Sequence, residues 1–293
     1  MQNSYTRFEK LVRIIMYAML VLIFIFCAYP FWYVLIYALS DSKAALDSPV
    51  ILLPVEPTFK LFTQLLRLEM LWSSFLNSVL VTLAGAFLGI ALTVTIAYPL
   101  SVKRLHFRKT VTMFLYFTML FNGGMIPNYL LIRDIGLIDS RWSLILPGIL
   151  SVYNLLVLRN FFMGLPEELE ESASLDGASP MRILLRIILP ISLPAIAVQA
   201  MLYGVSFWNS YMGSVMYINS PSKIELQAYL RSLLNSQTAA SANVVSDSIS
   251  SGYMSDASMR MGCVAISMIP VLLVYPKLQK YYIGGLTVGA VKG

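Results

Sequence analysis

Few residues of this chain could carry covalent or metal-assisted chemistry. Its 293 residues include one histidine, His106, and two cysteines, Cys27 and Cys263, all far apart in the sequence. A metal centre needs several ligands and a nucleophile needs a base, and no H-E-x-x-H or C-x-x-C pattern is present. The chain also lacks a G-x-x-x-x-G-K-[ST] phosphate loop. We therefore expect no enzyme, with no catalytic, cofactor-binding or metal-ligating residue in this chain.

Residues 170–194, EESASLDGASPMRILLRIILPISLP, form a polar stretch with a clear local pattern. Acidic residues within 167–171 complement the positive end of a helix that carries Pro166 in its first turn. Gly177 suits the left-handed residue that ends such a helix, and Ser179 can cap the next one. The sequence therefore predicts a helix, a turn and a second helix, with a small-residue surface that fits a groove. A hairpin resting on lipid headgroups would favour aromatic residues and a basic face instead.

The composition indicates the elements that must hold this stretch. Hydrophobic residues make up 58% of the chain, charged residues 12%, and the mean hydropathy is +0.72, which is typical of a membrane protein. A membrane-spanning helix needs about 20 mostly apolar residues. We expect an all-α polytopic protein with six transmembrane helices, near residues 14–39, 71–100, 111–132, 143–163, 187–216 and 261–276. The first run is too long for a signal peptide, and no A-x-A-like site follows it.

The distribution of lysine and arginine predicts the orientation of the spans. With both termini in the cytoplasm, thirteen of the 21 basic residues lie in cytoplasmic segments and eight lie outside. This asymmetry obeys the positive-inside rule and explains the basic pI without a nucleic-acid partner. The cytoplasmic residues are Arg7, Lys10, Arg13, Lys103, Arg104, Arg108, Lys109, Arg159, Arg182, Arg186, Lys277, Lys280 and Lys292.

Two further features concern packing and partners. Gly85 and Gly89 lie four residues apart in the second span, a spacing that lets helix backbones approach closely. We favour packing within the chain over a dimer seam. Residues 217–258 form the longest extramembrane loop, which begins with a short helix around 223–234 and becomes rich in serine, alanine and asparagine. Such a loop is either an arm for a soluble partner outside the membrane or a linker.

The polar stretch resembles the cytoplasmic loop of ABC importer permeases. Its residues fit the motif E-A-A-x3-G-x9-I-x-L-P at Glu171, Ser172, Ala173, Gly177, Ile187, Leu189 and Pro190, with Ser172 as the one departure. The segments NGGMIPNYLLIRDIGLIDSRWSLILPGILSVYNLLVLRNFF and YYIGGLTVGAVKG extend the likeness over nearly the whole chain. They resemble the carbohydrate-uptake branch, including the smaller permease of maltose importers and permeases of importers for oligosaccharides such as alginate fragments.

The resemblance implies a mechanism and a set of partners. It implies a type I importer permease, with residues 163–190 as a cytoplasmic coupling loop that docks in a cytosolic ATPase dimer. The docking would fall on Glu171, Ser172, Ala173, Leu175, Asp176 and Gly177. ATP and Mg would bind to that ATPase, and the tail 277–293 would lie between its subunits, with 284–293 short and flexible. A second, different permease, an extracytoplasmic solute-binding protein and an oligosaccharide complete the system, in the bacterial inner membrane.

A sugar pathway needs aromatic rings and amide or hydroxyl groups that face a cavity. The sequence offers Asn122, Tyr153, Asn154, Gln199, Tyr203, Ser206, Trp208 and Asn209, with Asn77 and Tyr211 as further candidates. Interfacial aromatic belts and interhelical hydrogen bonds explain the same residue types equally well.

The alternative function is a secondary or facilitative sugar transporter that works without an ATPase. Ion coupling usually needs ionisable residues within the membrane, and internal repeats are common in such carriers. No Asp, Glu, Lys or Arg lies centrally in the predicted spans. The sequence therefore favours the importer subunit.

Overall fold

A computed structural model describes residues 7–46, 52–235 and 256–290 of the chain, and the secondary structure in these ranges is helical. The N-terminal part holds α1 (Arg7–Ala38), α2 (Ser42–Leu46) and α3 (Lys60–Leu65). The central part begins with the long α4 (Glu69–Ser101). It continues with α5 (Arg108–Leu120), α6 (Met125–Asp134), α7 (Trp142–Ile145), α8 (Val152–Met163), α9 (Glu168–Leu175), α10 (Pro180–Ile183), α11 (Leu189–Ile191), α12 (Leu193–Trp208), α13 (Met212–Tyr217) and α14 (Leu226–Asn235), and α15 (Asp256–Ala290) follows.

The chain divides into two compact units. The first contains the described residues between 7 and 68 together with 233–235 and 256–268. Its core joins Ile36, Tyr37 and Ala45 to the side chains of Ala257 and Met261 at the start of α15. A Cβ on Gly262 would lie 2.6 Å from Leu65, so this glycine allows α15 to contact α3 closely.

The second unit contains residues 69–232 and 269–293. Its centre is α4, which packs against α12 and α8. Two buried clusters hold it together. One surrounds Leu155, Leu158 and Ile183, and the other surrounds Val81, Tyr203 and Phe207. Since α8, α9 and α10 share the first of these clusters with α4, the predicted coupling loop packs against the end of α4.

Three described helices are long and apolar enough to cross a membrane, namely Phe8–Ala38, Glu69–Ser101 and Ala257–Lys277. Two bent pairs pass the same test when each is counted as one span. Trp142–Gly148 and Val152–Met163 meet at 50°, and Pro180–Ile191 and Leu193–Trp208 meet at 84°. The described residues therefore give three spans, or up to five, where the sequence predicted six.

The remaining predicted span, 111–132, is divided between α5 and α6. Asn122 Oδ1 accepts a hydrogen bond of 2.9 Å from the Gly124 amide, and Gly124 has a φ of +92°. Helix α5 has already ended before this turn, because Phe121 is extended, with φ −111° and ψ 104°, and Gly124 is the residue that precedes α6.

Two further predicted segments are the long loop, 217–258, and the C-terminal tail, 284–293. The short helix expected around 223–234 is α14, whereas the rest of the predicted outer loop, 236–255, lies outside the described residues. Residues 284–290 of the predicted tail belong to α15, whose backbone is helical to Ala290. No proline follows Pro276 to interrupt the helical hydrogen bonds. Residues 291–293 lie outside the described residues.

Candidate coupling loop and transport path

Helix α9 ends in the manner that its sequence predicted. Gly177 has a φ of +77°, its amide donates to the Ser174 carbonyl at 3.1 Å, and the Ala178 amide donates to the Ala173 carbonyl at 3.0 Å. This pair of bonds is a Schellman motif, which favours glycine at the left-handed position. Nothing lies within 4 Å of a Cβ placed on Gly177, so a larger side chain would fit there. Glycine is favoured at this position because of its backbone conformation. The helix begins at Glu168, two residues after the expected Pro166.

The predicted docking residues fall into two groups in the structure. Glu171, Ser172, Leu175, Asp176 and Gly177 are exposed, and Leu175 has 89% of its surface accessible. A leucine so exposed at a helix end is a candidate anchor for a partner groove. By contrast, the remaining residues of the motif are less accessible. Ala173 is buried, Ile187 and Leu189 are half-buried against the same cluster, and Pro190 is exposed.

The return from the loop into α12 contains a cap and a bend. Ser179 Oγ accepts a hydrogen bond of 3.4 Å from the Arg182 amide, which confirms the predicted N-cap of α10. A π-helical turn spans Leu184–Ile188. The 84° bend then falls between α11 and α12 at Ser192, between the two prolines that the sequence placed at the re-entry, Pro190 and Pro194.

Two ion pairs connect α9 to the turn between α4 and α5. Lys103 pairs with Glu167, and Arg104 Nη2 lies 3.0 Å from Glu170 Oε1. Beside them is a cavity of about 590 Å³ lined by Tyr98, Phe162, Glu170, Glu171, Ser174 and Leu175, among others. The predicted coupling loop therefore has ion pairs on one side and open space next to it.

The glycines of α4 pack within the chain. A Cβ on Gly85 would lie 2.6 Å from the Phe207 ring, and one on Gly89 would lie 2.9 Å from the Tyr203 ring. Tyr203 and Phe207 belong to α12, with ring centroids 6.5 Å apart in a stacked arrangement. The prediction of packing within the chain is confirmed at both glycines.

Hydrogen bonds reinforce the contact between α4 and α12. The Tyr203 hydroxyl accepts a hydrogen bond of 3.0 Å from the Ser151 amide at the start of α8 and lies 2.7 Å from Thr93 Oγ1 on α4. Gln199 Nε2 donates to the Asn154 carbonyl at 3.0 Å. These bonds join α4, α8 and α12 in a region where unpaired polar groups would be costly.

The predicted pathway residues do not form one surface. Four of them are buried in contacts within the chain: Asn154, Gln199, Tyr203 and Trp208. The other four are exposed: Asn122, Tyr153, Ser206 and Asn209. Their role in transport stays a prediction.

A polar network that the sequence did not predict joins the loop before α7 to the segment after α13. Asp139, at a φ of +59°, accepts hydrogen bonds at Oδ1 from the amides of Asn219 and Ser220, at 3.1 and 2.8 Å. Lys223 Nζ lies 2.8 Å from Asp139 Oδ2. The hydrogen bond from Lys223, followed by those from Ser220, holds the pKa of the Asp139 carboxyl well below its usual range.

The same segment is fastened to the beginning of α4. Asn77 Nδ2 donates to the Ser222 carbonyl at 2.7 Å, and the Leu226 amide donates to Ser78 Oγ at 2.8 Å. Glu225 is buried, and its Oε2 accepts a hydrogen bond of 2.8 Å from Ser214 Oγ. Burial raises the pKa of the Glu225 carboxyl to about 7, against an ordinary value of 4.5.

Comparisons with known proteins identify the class of protein that this arrangement serves. No protein-family model matches the sequence. The chain is 34% identical over 285 residues to the polygalacturonan/rhamnogalacturonan transport system permease protein YtcP of Bacillus subtilis (strain 168), covering 97% of this chain and 99% of the relative. It is 38% identical over 218 residues to protein LplC of the same organism, covering 74% of this chain and 72% of the relative.

A solved structure agrees with these relatives. The chain matches a chain of a bacterial ABC transporter involved in the import of the acidic polysaccharide alginate, with a TM-score of 0.89 and 29% identity. The match covers 96% of this chain and all of that chain. The fold is therefore that of an ABC importer permease, a multi-pass membrane protein that serves translocation and is not an enzyme.

The chain belongs to the carbohydrate-uptake family of ABC transporter permeases. This confirms the resemblance that residues 171–190 first indicated.

Proposed function

We propose that this chain is the membrane-spanning subunit of an ATP-driven importer for oligosaccharides or polysaccharide fragments. It forms half of a heterodimeric pathway with a second, different permease, and a separate cytosolic ATPase dimer binds ATP and Mg. The observation that carries this proposal is the exposed face of α9. An acidic helix that ends in a Schellman turn and presents Leu175 to solvent suits insertion into a partner groove.

The proposed membrane topology has six spans in the bacterial inner membrane and both termini in the cytoplasm. The third span is α5 with the residues that follow it. Helix α5 has 13 residues, and most of its apolar side chains are exposed, as lipid contact requires, whereas Leu115 packs against the cluster around Leu155 and Leu158. The lysines and arginines of the proposed cytoplasmic segments support the orientation.

The proposed substrate is an oligosaccharide, with fragments of uronate polymers such as alginate as the preferred class. A polygalacturonan/rhamnogalacturonan transport permease and a chain of an alginate importer are both similar to this chain over nearly its full length. An extracytoplasmic solute-binding protein delivers the sugar, and the loop 217–258 is a proposed contact for it. Among the pathway candidates, Tyr153, Ser206 and Asn209 are exposed and suit contact with sugar or with the second permease.

Replacing Gly177 tests the coupling role of the loop. A valine at a φ of +77° is strained, so Gly177→Val should disturb the end of α9 and lower the substrate-stimulated ATP hydrolysis of the reconstituted complex by about ten-fold or more. Gly136→Val is the matched control, because Gly136 has a φ of +73° and the same open surroundings but lies outside the loop. Equal stimulated hydrolysis in wild type and Gly177→Val would contradict the coupling role.

A further inference from the structure

The four acidic residues at the beginning of α9 form two pairs with different surroundings. Glu167, which precedes α9, and Glu170 pair with Lys103 and Arg104 of the turn between α4 and α5. Glu168 and Glu171 are exposed and make no ion pair within the described residues. Residues three apart lie on one side of a helical turn. One pair of acids therefore faces this chain, and the other pair remains available to a partner.

The Arg104 contact is better placed than an ordinary surface ion pair. The Glu170 side chain has only 22% of its surface exposed, and Arg104 Nη2 donates to its Oε1 at 3.0 Å. Arg104 and Glu170 also line a second cavity, of about 350 Å³, together with Tyr98 and Pro99 of α4. The Arg104 side chain is 64% exposed, so water screens the pair from that side, and only the burial of Glu170 makes it stronger than a fully exposed pair.

The turn that supplies the two cations directly follows α4. Arg159 of α8 donates from Nε to the Leu100 carbonyl at 2.9 Å, which ties the same end of α4 to α8. The α4 helix in turn carries Gly85 and Gly89, against which α12 packs. Movement of α9 can therefore reach the end of α4 through these ion pairs. It can also reach α12 along the chain, through α10 and α11.

We propose that Lys103 and Arg104 are positioning residues for coupling. They hold α9 at a fixed rotation, so that Glu168, Glu171 and Leu175 face the ATPase, and they transmit movement of α9 to α4. This inference rests on the proposed function. It adds a second mechanical connection between the coupling helix and the membrane helices, made by the α4–α5 turn.

A charge swap tests this directly. Arg104→Glu places a negative charge beside Glu170, and it should lower substrate-stimulated ATP hydrolysis of the full complex by about five-fold. Glu170→Arg should have a similar effect, and the double variant Arg104→Glu/Glu170→Arg should restore at least half of the wild-type rate. Lys109→Glu is the matched control, because this exposed lysine follows the same turn and has no contact with α9 in the described part of the chain.

Hydrogen exchange of the purified full-length chain tests the contact of Arg104 with α9 separately from the transport function. Amides in 168–176 should exchange about five-fold faster in Arg104→Glu and return towards the wild-type rate in the double variant. If the double variant fails to restore the hydrolysis rate or the exchange rate of residues 168–176, the positioning role of Arg104 is overturned. A further outcome is that the exchange rates behave as expected while the wild-type complex shows no substrate-stimulated hydrolysis. In that case the contact between Arg104 and Glu170 is supported, whereas its role in coupling is overturned together with the proposed function.

Discussion

The Tyr203 hydroxyl lies 2.7 Å from Thr93 Oγ1 and thereby joins the two helices that pack most extensively in the second unit. Tyr203 is 1% exposed, and its hydroxyl also accepts the amide of Ser151, the N-cap residue of α8. One phenol group therefore connects α4, α8 and α12. The sequence marked Tyr203 as a pathway candidate, and its burial indicates a structural contribution.

Tyr203→Phe should destabilise the protein. The substitution keeps the ring and removes the hydroxyl, which leaves the Ser151 amide and the Thr93 hydroxyl without this partner at a cost of about 1 to 3 kcal/mol. The measurement is the thermal unfolding midpoint of the full chain in detergent. Tyr153→Phe is the control, because the Tyr153 side chain is 56% exposed. Equal midpoints for the two variants would contradict the structural role.

Gly85→Ala should loosen the seam between α4 and α12. The added methyl would lie 2.6 Å from the Phe207 ring, so the ring or the helix must move, at a cost of about 1 to 3 kcal/mol. Gly204→Ala is the matched control within α12, because no atom lies within 4 Å of its added Cβ. We expect Gly204→Ala to leave the unfolding midpoint unchanged or to raise it slightly, since alanine favours helix. A midpoint that is as high in Gly85→Ala as in Gly204→Ala would exclude close packing at Gly85.

Glu225 should make the contacts of residues 217–226 sensitive to pH. Its pKa in the folded state, about 7, exceeds the ordinary value of 4.5, so its contribution to stability is complete below about pH 4.5 and is lost as pH rises through 7. Amides of 217–226 should therefore exchange faster at pH 8 than at pH 5, after correction for the intrinsic rate of exchange. Glu225→Gln should remove most of this difference.

Asp139→Asn is the control for that experiment. The pKa of Asp139 is lowered, so its carboxylate stabilises the network above its ordinary pKa, and the effect is lost only in more acidic solution. Asp139→Asn should weaken the network at both pH values and keep the difference between them. A pH effect that persists in Glu225→Gln would assign the sensitivity to another group.

Local patterns predicted the turn and the helix cap between α9 and α10 well. Gly177 and Ser179 act through hydrogen bonds to residues within five positions of them, and such bonds can be inferred from residue types alone. The Gly85 and Gly89 spacing likewise indicated a close helix contact, although it did not specify Phe207 and Tyr203 as the partners.

Long-range contacts were the part that the sequence could not predict. The Asp139 network joins residues about 80 positions apart, and the ion pair of Arg104 with Glu170 spans 66 positions. No local periodicity encodes such pairs. The division of the predicted span 111–132 is different, because it falls beside Gly123 and Gly124, two adjacent residues whose type disfavours a helix.

The most direct test of the importer function is sugar uptake by vesicles that contain the purified chain, alone or with its ATPase, second permease and solute-binding protein. Labelled alginate-derived oligosaccharide serves as the substrate, with and without ATP on the ATPase side. We expect no saturable uptake by the chain alone and ATP-dependent uptake by the full complex. Saturable uptake by the chain alone in the absence of ATP would indicate a facilitative or secondary carrier and would contradict the importer function.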